Sequence, residues 1–74
     1  MDRSRRTASL LGRLKDALTV AQTRPGLSAR LRQRLLAQYL MALEAVEDAQ
    51  LGRRSAEDAA LVAEKFLAAV AKAR

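Results

Sequence analysis

The sequence contains no cysteine and no histidine. Without cysteine the chain can form neither a disulfide nor a thiolate metal site. Without histidine it lacks the commonest general base and metal ligand, and its three glycines are isolated, so it has no phosphate-binding loop. Carboxylate metal sites in helical bundles usually include a histidine, so we interpret the acidic residues as a solvated face. We expect no enzyme, no metal, no cofactor and no small-molecule substrate.

Aromatic residues and long apolar runs are also scarce. Tyr39 and Phe66 are the only bulky aromatic residues, and we expect both in the core. No apolar run approaches the roughly 20 residues of a membrane span, and the N-terminus lacks the apolar segment of a secretory signal. We therefore expect a soluble cytoplasmic protein without membrane contact. Alternation of period two is nowhere sustained, so no strand is predicted.

Apolar residues instead recur at helical spacing in three segments, which predicts an all-α fold. The predicted helices are residues 8–23, 28–51 and 55–73, a three-helix arrangement around a long central helix. Pro25 and Gly26 end the first helix, and Gly52 ends the second. Ser28 and Ser55 have the form of helix N-caps. The arrangement predicts one small helical domain, residues 8–74, preceded by a mobile basic arm, residues 1–7.

Each predicted helix has an apolar face. In the central helix the leucines, Tyr39 and Val46 spread over about half the circumference, a width that could cover two neighbours. Leu36 and Leu40 belong to this face, whereas Leu61 falls on the polar side of the third helix. Gly12 interrupts the first helix and would suit close approach to another backbone.

Charge is unevenly distributed along the chain. Residues 1–37 carry nine Lys/Arg and two Asp/Glu, a formal +7, whereas residues 38–74 carry five and six, a formal −1. Eleven of the fourteen basic residues are arginine, whose planar fork suits phosphate oxygens. We predict binding of DNA or RNA, although an acidic protein would suit the same charge. The predicted nucleic-acid-binding residues are Arg3, Arg5, Arg6, Arg13, Arg24, Arg32, Arg53 and Arg54.

The turn between the first two helices permits a more specific hypothesis. Residues 20–36 could form a helix-turn-helix, with Gly26 in the turn and Arg30 to Arg34 opening a recognition helix. The turn is one residue longer than such motifs use, and the second helix is longer than usual.

A second polar pattern runs along the central helix. Its residues are spaced four, three, four, three and four, the repeat of a coiled-coil seam. The pattern is self-complementary about Tyr39, so an antiparallel second copy would align basic with acidic residues. Basic residues near the start of this helix and acidic ones near its end oppose its macrodipole, which requires compensation from outside the helix. The predicted self-association residues are Arg30, Arg34, Ala37, Met41, Glu44 and Asp48.

These patterns together predict a small, non-enzymatic helical protein that binds nucleic acid and forms a homo-oligomer. The alternative is a protein–protein adaptor, or a small subunit of a larger complex, that uses the central helix and Leu61 as contact surfaces.

Overall fold

The computed structural model describes the backbone of residues 2–73 and the side chains of residues 8–73. It contains three helices, α1 (Asp2–Thr23), α2 (Ala29–Gln50) and α3 (Ala56–Lys72), and no strand within the described residues. The predicted all-helical fold is confirmed. The predicted start of the first helix at Ala8 is wrong, since α1 begins at Asp2. α1 and α2 each have 22 residues and α3 has 17, so the central helix is longer than α3 but not longer than α1, and the predicted long central helix is not shown.

The predicted arm, residues 1–7, has its side chains outside those that the structure describes. From Asp2 onward its backbone belongs to α1. The mobility of this segment stays a prediction.

Local chemistry explains where α2 and α3 begin. The Ser28 side chain accepts a hydrogen bond from the amide of Leu31 at 3.1 Å. Ser55 accepts one from the amide of Asp58 at 3.0 Å. Each serine satisfies an amide that has no partner within its helix, so both predicted N-caps are confirmed.

The predicted end of α2 is confirmed as well. Gly52 has a φ of +77°, a conformation that side chains with a Cβ rarely adopt. The next amide, of Arg53, donates to the carbonyl oxygen of Asp48 at 2.8 Å, which closes a Schellman-type turn. Gly26 has a φ of +86° in the link between α1 and α2.

The three helices lie side by side. A 22-residue helix is about 33 Å long, and the molecule measures 41 × 17 × 15 Å, so each long helix must follow the long axis. The short links reverse the chain twice, which makes α1 and α3 parallel and α2 antiparallel to both. The helix-turn-helix hypothesis is therefore wrong, because that motif needs its helices to cross at roughly 90–120°.

The core contains side chains from all three helices. Tyr39 and Phe66 meet edge to face, with ring centroids 5.7 Å apart, as the core prediction requires. The apolar stripes predicted for the first and third helices are buried or half-buried. The buried core consists of Leu10, Leu14, Ala21, Leu27, Leu35, Tyr39, Ala42, Ala45, Val46, Ala59, Ala63, Phe66, Val70 and Ala73.

The apolar face predicted for α2 is too wide. Leu36 and Leu40 are 41% and 55% exposed, whereas Ala42 and Ala45 are 0% and 1% exposed. The small alanine side chains allow close approach of a neighbouring helix, so α2 turns that side inward and leaves the two leucines at the surface.

Two single-residue expectations have opposite outcomes. Leu61 is exposed, as predicted from its position on the polar side of α3. The expectation that Gly12 permits close approach of a second backbone is wrong within this chain, since a Cβ at Gly12 would meet no atom within 4 Å.

Candidate nucleic-acid interface

The antiparallel topology divides the molecule into two ends. The ion pair of Arg13 with Glu64 and the ring contact of Tyr39 with Phe66 mark its middle. Residues 14–38 and 65–73 lie on the side of the α1–α2 link, and we call this the basic end. Residues 2–12 and 40–63 lie on the side of the α2–α3 link, and we call this the opposite end.

The fold sorts the net charge between these ends. The basic end carries seven Lys/Arg and one Asp, a formal +6, and the opposite end carries five Lys/Arg and six Asp/Glu, a formal −1. Arg13 and Glu64 cancel at the middle, and Arg74, which lies outside the described residues, carries the remaining +1. The basic end therefore carries a positive charge as large as the net charge of the whole chain, +6.

Most of the cations at the basic end are open to solvent. Arg24 is half-buried, and the other six are exposed. A cluster of exposed cations with a single nearby acid raises the local positive potential and attracts polyanions. The exposed residues are Lys15, Arg30, Arg32, Arg34, Lys65 and Lys72.

Arg24 has a structural role at this end. Its Nη1 donates to the carbonyl oxygens of Val70 at 3.0 Å and Ala73 at 2.7 Å. The carbonyl of Val70 also accepts from the amide of Ala73 at 3.2 Å, so Arg24 adds a second donor there and supplies one to the carbonyl of Ala73, directly after the last turn of α3. A guanidinium held in this way is less available to a phosphate than the sequence prediction assumed.

Arg32 reaches the end of α1. Its Nη2 donates to the carbonyl oxygen of Arg24 at 3.3 Å, immediately after the last residue of that helix. The side chain remains exposed. Arg32 can therefore support the turn and still contact a phosphate.

The helix dipoles explain why basic residues suit this end. Each helix places about half a positive charge at its N-terminus and half a negative charge at its C-terminus. The basic end holds two C-termini, of α1 and α3, and one N-terminus, of α2. Its net backbone charge is therefore negative, and that of the opposite end is positive.

This arrangement supplies a compensation for the charge pattern of α2. That helix has no acidic residue in its first turn and no basic residue in its last turn, against its own dipole. Its arginines lie at the same end of the bundle as the C-termini of α1 and α3, and Glu47 and Asp48 lie at the same end as the N-termini of those helices. α3 follows its own dipole instead, with Glu57 and Asp58 in its first turn and Lys72 in its last.

Five of the eight predicted nucleic-acid-binding residues lie at the opposite end. Arg53 and Arg54 are exposed in the α2–α3 link. The side chains of Arg3, Arg5 and Arg6 lie outside the described ones, although their backbone forms the first turns of α1 at this end. Acidic residues at the same end bring its formal charge close to zero.

Arg13 belongs to neither end. Its Nη1 lies 3.2 Å from Oε1 of Glu64, and both side chains are more than half exposed. An exposed pair of this kind contributes only about 0 to 1 kcal/mol and can exchange with other partners. The eight predicted nucleic-acid-binding residues therefore do not form one surface, because they lie at the middle and at both ends of the molecule.

Sequence reasoning missed three basic residues. Lys15, Lys65 and Lys72 are isolated in the sequence and form no cluster there. The parallel course of α1 and α3 brings them to the same end as the arginines of α2. Counting charges by end, after assuming an antiparallel bundle, would have found them.

The predicted self-association residues lie along the outer side of α2. Arg30, Arg34, Ala37, Met41 and Glu44 are exposed, and Asp48 is half-buried. Within one molecule this stripe faces solvent along most of its length.

The remaining properties of the described chain are negative findings. Residues 2–73 contain no group of three or more acidic residues placed to hold a metal ion. None of the three helices combines the length and the apolar character that crossing a membrane requires. A scan of protein-family models, a search of curated proteins and a search of solved structures found no significant match.

Proposed function

We propose that this chain is a non-enzymatic, cytoplasmic protein that binds nucleic acid by contacting duplex phosphates with its basic end. The observation that carries the proposal is the gathering of a formal +6 at one end of the bundle, with six of its seven cations exposed. Two of the predicted residues, Arg24 and Arg32, lie there.

The burial of both aromatic rings supports a duplex over a single strand. Proteins that bind single strands stack bases on exposed aromatic side chains. Tyr39 and Phe66 are 9% and 1% exposed and pack against each other. Contacts are then limited to phosphates and groove edges, which a duplex presents at high charge density.

The predicted binding is electrostatic and indifferent to base sequence. Each cation that neutralises a phosphate releases a counterion, and the slope of log K against log salt is about −0.9 per contact. The basic end is about half of a molecule that measures 41 × 17 × 15 Å. We expect roughly three to five phosphate contacts over a surface of this size, and a slope of about −3 to −4.5.

Two charge-matched variants test the location of the contacts. Lys65→Gln with Lys72→Gln removes two exposed cations from the basic end, and Arg53→Gln with Arg54→Gln removes two from the opposite end. Both pairs lower the net charge equally, so only position differs. Fluorescence anisotropy with a random-sequence duplex of about 20 base pairs, at salt from about 25 to 200 mM, measures the affinity of each variant and the slope of its log K against log salt.

The basic-end variant should bind about tenfold more weakly, and its slope should decrease in magnitude by about one to two. The opposite-end variant should stay close to wild type. A larger loss from Arg53→Gln with Arg54→Gln would move the interface to the residues predicted from sequence and contradict the basic-end proposal. Absence of binding at about 25 mM salt would exclude both locations.

The exposed apolar residues favour a second candidate function, a protein–protein adaptor or small subunit. Leu51, Leu61 and Met41 are each about two-thirds exposed, and they extend over α2 and α3. An adaptor that binds through such residues would associate with its partner almost independently of salt, because apolar burial is not screened. Duplex binding that is absent at low salt, combined with salt-independent complex formation, would favour the adaptor.

A further inference from the structure

We infer that the outer side of α2 binds a second copy of this chain, with the two α2 helices antiparallel and Tyr39 at the level of the two-fold axis. The surface consists of the predicted stripe from Arg30 to Asp48 and of Leu40, which the structure adds to it. This inference concerns self-association and rests on a different set of observations from the proposed binding to nucleic acid, but the two surfaces share Arg30 and Arg34, so it is tested without nucleic acid.

The stripe is continuous and accessible. At 100° per residue its six members lie within about 80° of one another on α2. All are exposed except Asp48, which is half-buried at the end of the stripe. The core-facing residues Leu35, Tyr39 and Val46 lie on the other side of the helix. A second helix can therefore approach along the stripe without disturbing the core.

The charges of the stripe fit its own copy. In the antiparallel alignment Arg30 meets Asp48 of the other copy, and Arg34 meets Glu44. Each pair occurs twice because the interface is isologous. A parallel copy would place like charges level with each other, so the pattern selects the antiparallel orientation.

The centre of the stripe is apolar. Ala37 meets Met41 of the other copy, and the small alanine leaves room for the long methionine side chain, which is 65% exposed. Leu40 lies on one flank of the stripe, one residue from Tyr39. A two-fold axis keeps each flank beside the same flank of the other copy, so Leu40 meets Leu40 across the axis.

This arrangement accounts for a feature that the single chain leaves unexplained. Leu40 belongs to the apolar periodicity of α2, yet it is 55% exposed. In the proposed dimer it joins Met41 in a small apolar centre flanked by charged pairs, the usual composition of an interface core and its rim. A different protein partner would need an unrelated surface that reproduces the same alternation of charge.

Complementary charge reversals test this inference. Arg34→Glu places Glu opposite Glu44 on both sides of the two-fold axis, and Glu44→Arg places Arg opposite Arg34. Each single variant should dimerise about tenfold more weakly than wild type. An equimolar mixture of the two should associate like wild type, because the heterodimer restores both pairs. Sedimentation equilibrium without nucleic acid, at about 10 to 200 μM, measures each constant.

Arg53→Glu is the matched control, since it reverses one exposed charge in the α2–α3 link, outside α2 and its stripe. It should leave the association constant unchanged. Circular dichroism of each variant checks that the helices persist, and a variant that unfolds is replaced by Arg30→Glu with its partner Asp48→Arg. A wild type that is monomeric at about 200 μM would overturn the inference. So would a dimer that both single reversals leave intact, or a mixture that stays as weak as its components.

Discussion

Replacing Arg24 by methionine would test the contact that joins the α1–α2 link to the end of α3. The guanidinium donates to two carbonyl oxygens, of Val70 and Ala73, in a partly buried position. Methionine retains an unbranched apolar stem of similar length but has no donor, so packing is largely conserved while both hydrogen bonds are lost.

The cost can be estimated from these two bonds. A hydrogen bond to a charged group contributes about 1.5 to 3 kcal/mol net. Water can reach the carbonyls of a helix end and replace part of this contribution, so we expect a total loss of about 2 to 3 kcal/mol. A domain of this size has a net stability of only roughly 3 to 5 kcal/mol. The melting temperature should fall by about 10 to 20 °C.

The free energy of unfolding is measured by urea titration, and the melting temperature by circular dichroism at the helical band. Lys15→Met is the matched control, because Lys15 lies at the same end, is exposed and is not part of the self-association stripe. It should change stability by no more than about 0.5 kcal/mol. The reasoning is refuted if Arg24→Met and Lys15→Met unfold at the same urea concentration.

Two further predictions concern single positions in the helices. Gly12→Ala should raise the free energy of unfolding by about 0.5 to 1 kcal/mol. Gly12 lies inside α1 with a negative φ, and a Cβ added there would meet no atom of another segment within 4 Å. An unchanged or lower urea midpoint would contradict this prediction. Ser55→Ala should lower that free energy by about 1 kcal/mol, because the amide of Asp58 loses its acceptor. Ser55→Asp, measured in the same titration, should retain most of the stability, and equal losses in both variants would argue against the cap.

Helix ends were the most predictable part of the fold, because each depends on a few adjacent residues. Ser28, Ser55 and Gly52 act through hydrogen bonds or dihedral angles within three residues of the helix end. The start of α1 is the exception. Residues 2–7 have no apolar periodicity, and the sequence offers no capping signal that places the start at Asp2.

The orientation of α2 could not be predicted from its periodicity. The leucines and the alanines of this helix both recur at helical spacing, so two overlapping faces were compatible with burial. The neighbouring helices decide between them, and they pack on Ala42 and Ala45 while Leu36 and Leu40 stay at the surface. A hydrophobicity pattern records which residues can be buried, but it does not record how closely the adjacent helix approaches.

The candidate interface was only partly predictable for a similar reason. The clusters Arg3/Arg5/Arg6 and Arg53/Arg54 are conspicuous in the sequence, but the fold brings acidic residues of α2 and α3 to the same end of the bundle. The contact of Arg24 with Val70 and Ala73 joins residues 46 and 49 positions apart, beyond the range of any local pattern.

The central claim is that the position of the cations, rather than their number, determines the affinity for nucleic acid. The most direct measurement compares the salt dependence of duplex binding between Lys65→Gln with Lys72→Gln and Arg53→Gln with Arg54→Gln. A flatter slope for the first variant, with the second close to wild type, is the predicted result. Equal slopes in the two variants, or a flatter slope only in the second, would contradict the claim.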